Sequence, residues 1–216
     1  MLPPEAGQQP IIAVVGRLCA GVSVGEGSVS GDSLHEVAGW RASDKNDQLG
    51  VHANVCKALA ARGLVAGNVN YRLAPRVKHP EPARDAAYAL RWTRKNITEY
   101  QGDPEKVFLS GHSAGGHLAA LIALDASYLD GIGLMVGAIK GVMGICGVYN
   151  LAHFAGHNWM AEHLMTRAAF GNNPGLCAHA SPVNHVHADA PPFLLLNAQE
   201  RREAGRGSRR AIFSFA

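Results

Sequence analysis

"VFLSGHSAGGHLAALIALD", residues 107 to 125, sets a serine between glycines at minus two and plus two, directly after an apolar run and directly before a helix-forming one. That is the G-x-S-x-G pattern in the strand, turn and helix context it requires. Gly111 and Gly115 matter because the serine must ride a sharp turn whose neighbours leave no room for side chains. Ser113 is therefore the candidate nucleophile, with Gly111, His112 and Gly115 as its motif. The N–H of Ala114, at the start of the helix, faces the place where negative charge would gather on an attacked carbonyl oxygen. A serine hydroxyl is nearly inert at neutral pH, so this reading demands a base, ordinarily a histidine oriented by a carboxylate.

Working outward, short apolar runs alternate with helical patterns. "IIAVV" (11–15) precedes a helix near 49–62; "LVAGNVNY" (64–71) precedes a helix near 82–97; "VFLS" (107–110) precedes a helix over 114–125. "GVMGICGVY" (141–149), a helix around 159–169 and "PFLLLNA" (192–198) continue the series. Ala83, Ala86, Ala87 and Leu90 fall at i, i+3, i+4 and i+7 and predict one buried stripe. The alternation predicts an α/β fold, a mostly parallel sheet flanked by helices, in a single domain over 1–216. Two segments stand outside it: a Gly/Ser-rich irregular insert at 16–34 and an irregular basic tail at 201–216.

Composition limits the function classes. The chain has 216 residues, 47% hydrophobic and 17% charged, enough for one sizeable core. Its net charge of +3 owes most to the arginines of "RREAGRGSRR", so nothing argues for a nucleic-acid groove. Cys19, Cys56, Cys146 and Cys177 show no metal spacing and read as free thiols in a reducing compartment. The first 25 residues lack a basic segment before the apolar run, and no apolar stretch reaches the ~20 residues of a membrane span. The expectation is a soluble, cytoplasmic protein that contacts no membrane.

Four stretches carry a family resemblance: "NYRLAP" (70–75), "HPEPARDAAYALRW" (79–92), "YQGDPEKVFLSGHSAGGHLAAL" (100–121) and "ASPVNHV" (180–186). They resemble the α/β-hydrolase superfamily, in its branch of small carboxylesterases and kynurenine formamidases that includes isoprenylcysteine methylesterase relatives. The resemblance spans roughly 35–199. It implies a small-molecule ester or amide substrate, an acyl-enzyme on the serine, and no metal or organic cofactor. Family members complete the oxyanion hole with an H-G-G-x-W loop, whose nearest match here is "HEVAGW", placing His35 in the motif and the backbone of Gly39 and Trp40 as oxyanion donors. Glu36 and Val37 stand where the family has small residues, and each missing oxyanion donor costs ~10²- to 10³-fold in kcat.

The resemblance also implies an acid after the strand at 192–198, where Glu200 stands, and a histidine after one further strand. No histidine follows His187. The first strands and the last strand of the fold are likewise expected to be lacking, unless "AIFSFA" (211–216) forms a short edge strand. Of the histidines present, His112 and His117 flank the serine at positions that point away from its hydroxyl. His52 and His79 read as solvated. His153, His157 and His163 lack the glutamate of an HExxH zinc site, and His179, His185 and His187 read as loop residues from which a replacement base would have to swing. The sequence thus predicts a serine hydrolase of esters or amides, impaired by the lost histidine. The alternative is a catalytically silent hydrolase fragment or binding module. A strand missing from the sheet edge predicts self-association.

Overall fold

The computed structural model describes residues 12–15, 51–69, 71–157, 166–203 and 206–215. The apolar runs form a six-stranded sheet in the order β2-β1-β3-β4-β5-β6. β1 is Ile12–Val15, β2 Val65–Gly67, β3 Val107–His112, β4 Gly141–Ile145, β5 Phe193–Glu203 and β6 Arg206–Phe215. The first five are parallel, and β6 pairs antiparallel to β5.

Parallel neighbours need long crossovers, which helices provide. α1 (Val51–Ala60) leads into β2, and α2 (Glu81–Asn96) into β3. α3 (Ala114–Leu124) and α4 (Ala126–Asp130) join β3 to β4. α5 (Leu151–His157), α6 (Arg167–Phe170) and α7 (Pro174–His179) lie between β4 and β5. The 16–34 insert falls outside the described residues, and so does most of the helix expected at 159–169. Among the described residues no helix is long and apolar enough to cross a membrane.

All eleven residues of α3 are buried, as its apolar sequence requires. It packs against β3, β4 and α2. The predicted stripe Ala83, Ala86, Ala87 and Leu90 is the buried face of α2, joined in the core by Val107, Leu118, Leu121, Ile122 and Val142. The loop before α2 is anchored by Arg72. Its guanidinium forks onto Asp85, with Nε to Oδ2 at 2.9 Å and Nη2 to Oδ1 at 2.8 Å, while Nη2 also donates to Glu81 Oε2 at 2.7 Å. Partial burial pushes the Asp85 carboxyl up, but the Arg72 hydrogen bonds and charge outweigh it and hold the group below its ordinary value. Tyr71 and Leu73, on either side of Arg72, enter the core.

Residues 201–216, expected as an irregular basic tail, are instead strand over 201–203 and 206–215. Beyond Leu196, the last residue of β5 paired with β4, the β5 backbone finds its partners on β6, from Asn197↔Ile212 to Glu203↔Arg206. Backbone N–H and C=O groups left without a partner are costly, and a hairpin satisfies both sides at once. The edge beside β5 is therefore covered, and among the described residues the strands at the sheet margins are β2 and β6.

His79 corrects a second expectation. It is buried rather than solvated, 8% exposed, because Phe170 covers its ring at 5.5 Å and its backbone N–H donates to Ala169 O at 2.8 Å. His117 is fully buried on α3, packs edge-on against Phe170 at 5.8 Å, and donates from Nε2 to Ala180 O at 2.7 Å. Burial, followed for His79 by the nearby His179, lowers both rings to about 4.

Two outcomes follow from this packing. A Cβ on Gly111 would overlap the Gly115 carbonyl group and lie 2.5 Å from Gly116 N, backbone atoms with no room to move. Gly111→Ala should therefore destabilise the fold by about 3 kcal/mol or more in urea unfolding, and a loss under about 1 kcal/mol would show that the turn relaxes. The second concerns acid. Since the folded histidines sit near 4 and unfolded ones near 6.5, the unfolded chain binds the extra protons between those values, so stability is intact above about pH 6.5 and falls as pH drops. The slope is about 1.4 kcal/mol per pH unit per group. The urea midpoint should decline from pH 6.5 to 5 and decline less in His117→Gln; a flat midpoint in the wild type would contradict the assignment.

Candidate active site

Ser113 sits where β3 gives way to α3, with φ 54° and ψ −117°. A residue with a side chain enters that region at a cost of about 1–3 kcal/mol and stays only where its surroundings fix it. Both sides of the turn are fixed here. The Ser113 N–H donates to Ile145 O at 2.8 Å, tying it to the end of β4, and Ser113 O accepts from the His117 N–H at 3.1 Å, closing the first turn of α3. Gly116 lets the helix approach the strand, since a Cβ there would lie 2.9 Å from Gly111 O and 3.2 Å from Gly147 Cα. Ser113 is half-buried, and among the described residues its hydroxyl has no hydrogen-bond partner.

Ala114 opens an eleven-residue helix, so its N–H lies among the first-turn donors that have no acceptor within the helix, at the positive end of the helix dipole. Cys146, just past β4, has φ 49° and donates its N–H to Leu196 O at 2.7 Å. The carboxyl ends of β3, β4 and the β4-paired part of β5 thus meet at Ser113, Ile145 and Leu196. That is the position at which open α/β sheets bind ligands. Beneath it, Ala114 packs in a second apolar cluster with Ala74, Leu151, Ala169, Phe170 and Ala180.

Sequence reasoning missed Tyr149. Its hydroxyl occupies the space that Cβ atoms on Gly144 and Gly147 would fill, and burial pushes its phenol up to about 12. The two glycines of "GICGVYN" were the only signal, since they leave the gap the ring needs.

Of the other predicted site residues, His35, Gly39 and Trp40 lie outside the described residues. His112 is exposed at the end of β3. Glu200 lies within β5, opposite Arg209 of β6 and four residues past the last pairing with β4. His117 is engaged with Ala180, as its buried position demands. His179 and His185 face Asp125, at 3.9 Å and 4.0 Å. Asp125 caps the far end of α3, about 18 Å of helix rise from Ser113. Neither is therefore beside the serine hydroxyl. His153 is exposed on α5; His163 lies outside the described residues. Cys56, Cys146 and Cys177 are free thiols, as expected.

Residues 36–202 match the BD-FAE family model. Among curated proteins, the chain is 37% identical over 145 residues to the esterase LipQ of Mycobacterium tuberculosis, covering 64% of this chain and 34% of that one. It is 34% identical over 168 residues to the probable carboxylic ester hydrolase LipM of the same organism, covering 74% and 38%. The chain spans about a third of the length of these relatives. Among solved structures, the acetyl ester-xyloside bifunctional hydrolase from Caldicellulosiruptor lactoaceticus superposes with a TM-score of 0.59 at 25% identity, over 87% of this chain and 61% of that one. A family match running through most of the sequence, on a sheet of this order with a helix entered through a strained serine, makes the chain a member of the BD-FAE family, within the α/β-hydrolase carboxylesterases.

Proposed function

We propose that the chain hydrolyses carboxylic esters through an acyl-enzyme on Ser113. The observation that carries this reading is the positive φ of Ser113 at the head of α3, which sets the serine at the tip of the turn between β3 and α3. Ser113 Oγ attacks the acyl carbon as its proton leaves. The alcohol departs with a proton, and water then releases the acid and restores the hydroxyl. The Ala114 N–H, with the backbone of Gly39 and Trp40, holds the oxyanion. The relatives' names as esterases favour an ester over a formamide substrate.

The proton acceptor sets the rate. Among the described residues no histidine is bonded to Ser113 Oγ. Glu200, within β5, stands as the candidate acid with no histidine assigned to it. Turnover that relies on the described residues alone is slow, since a serine without its triad partner retains about 10³- to 10⁴-fold catalysis over water from the oxyanion hole and binding. The same absence favours a second reading, a folded scaffold that binds acyl compounds without turning them over.

A fluorophosphonate probe separates the two. Slow labelling that maps to the Ser113 peptide and disappears in Ser113→Ala, with residual p-nitrophenyl acetate hydrolysis lost in the same variant, is the expected result. A cooperatively melting protein that takes no label leaves the binding scaffold as the reading.

A further inference from the structure

We propose that Asp125, His179 and His185 form a structural site for a divalent transition metal, with zinc the best fit, at the end of α3 remote from Ser113. Asp125 Oδ2 lies 3.9 Å from His179 Nε2 and 4.0 Å from His185 Nδ1, and all three donor atoms lie within 4.8 Å of one another. Ligands bonded at 2.0–2.2 Å around a tetrahedral zinc stand about 3.3–3.6 Å apart. Closing the cluster onto an ion thus takes shifts of about an ångström or less, which side-chain rotation supplies.

Two further observations point to a ligand. Asp125 is 8% exposed and its Oδ1 accepts from the Ser127 N–H at 3.1 Å to cap α4, but Oδ2 is buried with no hydrogen-bond partner among the described residues. A buried carboxylate oxygen aimed at two imidazole nitrogens is costly unless a positive charge answers it. The His185 tautomer sharpens the point. His185 Nε2 lies 2.6 Å from His179 O, and a carbonyl accepts only, so Nε2 carries the proton. When the ring is neutral, Nδ1 therefore turns its lone pair toward Asp125 Oδ2, two electron-rich atoms that a metal ion would satisfy directly. A backbone carbonyl fixing the tautomer of a ligating histidine is the usual outer shell of zinc sites.

One carboxylate and two imidazoles suit zinc better than calcium or magnesium, which prefer all-oxygen shells. The fourth position is left to water, and the way in is open. His179 is exposed and borders a cleft of about 300 Å³ lined also by Pro80, Arg84, Ser127 and Tyr128. The ion would tie α7 and the 3-10 turn Pro182–His185 to the end of α3.

The test is zinc titration of the full chain after chelator treatment and dialysis, read by calorimetry and by thermal melting. About one equivalent should bind, raising the Tm by about 5–10 °C at a hundredfold excess over Kd. His185→Gln and His179→Gln should each weaken binding about 100-fold or more, since even outer-shell losses cost 10- to 100-fold. Asp125→Asn should do the same while keeping the α4 cap, because Asn also accepts from the Ser127 N–H. Cobalt in place of zinc should give ligand-field absorption that His185→Gln abolishes. Absence of stoichiometric binding overturns the proposal, and so does binding that survives both His185→Gln and Asp125→Asn. A Tm that responds to neither zinc nor cobalt, in a protein with a cooperative melt, overturns it equally.

Discussion

The contact between Gly111 and the first turn of α3 is the constraint on which the remaining architecture depends. Strand and helix meet there backbone to backbone, closer than any Cβ permits. That closeness throws Ser113 to the tip of the turn and gives it the positive φ, because the chain has no other way to reverse direction within one residue. It also drives α3 into the middle of the molecule, where every one of its residues is buried. An apolar helix of that kind cannot stand at a surface, so α2 must cover one side and the connections after β4 another.

Those connections are held by polar groups rather than by area alone. α6 and α7 are short, four and six residues, well under the length at which a helix sustains itself in water. His117 reaches out of α3 to the carbonyl of Ala180, and Ser181 accepts the Leu151 N–H at 3.0 Å while donating to Cys177 O at 2.7 Å. His79 receives Phe170 over its ring. The His117 and Leu151 bonds are buried, where losing a partner leaves a desolvated group and costs more than the bond itself contributes. The second apolar cluster, which carries Ala114 and hence the floor of the candidate active site, exists because these bonds fix the segment over it.

What the sequence disclosed and what it concealed divide along the range of the interactions. The elbow was legible because strand, glycines, serine and helix are contiguous, and the stripe of α2 because helical period alone defines it. Family resemblance extended the reading to the sheet. His79 was misread because a histidine between Lys78 and Pro80 looks like a surface turn, and only the α6 segment, some ninety positions later, reveals what covers it. The arginines from Arg201 onward suggested an irregular basic tail because charge dominated the composition, and nothing local marks the pairing of 206–215 with β5. The grouping of Asp125 with His179 and His185 had no sequence signal, since the carboxylate lies more than fifty residues before the two histidines and shares no motif spacing with them.

α3 carries different chemistry at its two ends. At its head, unsatisfied N–H donors and a strained serine favour developing negative charge; at its foot, the Asp125 backbone N–H closes the last turn onto Leu121 O and its carboxylate faces imidazole nitrogens. The same stretch of chain, from His179 to His185, is fastened near the middle of the helix by His117 and at the foot by Asp125. The foot and the cluster under Ser113 are joined by one fully buried helix and by Ala180, which belongs to that cluster and accepts the His117 bond. His117, which flanks the serine in sequence, is thus committed to holding the segment over the cluster under Ser113. A hydroxyl at the elbow must find its proton acceptor elsewhere or react slowly.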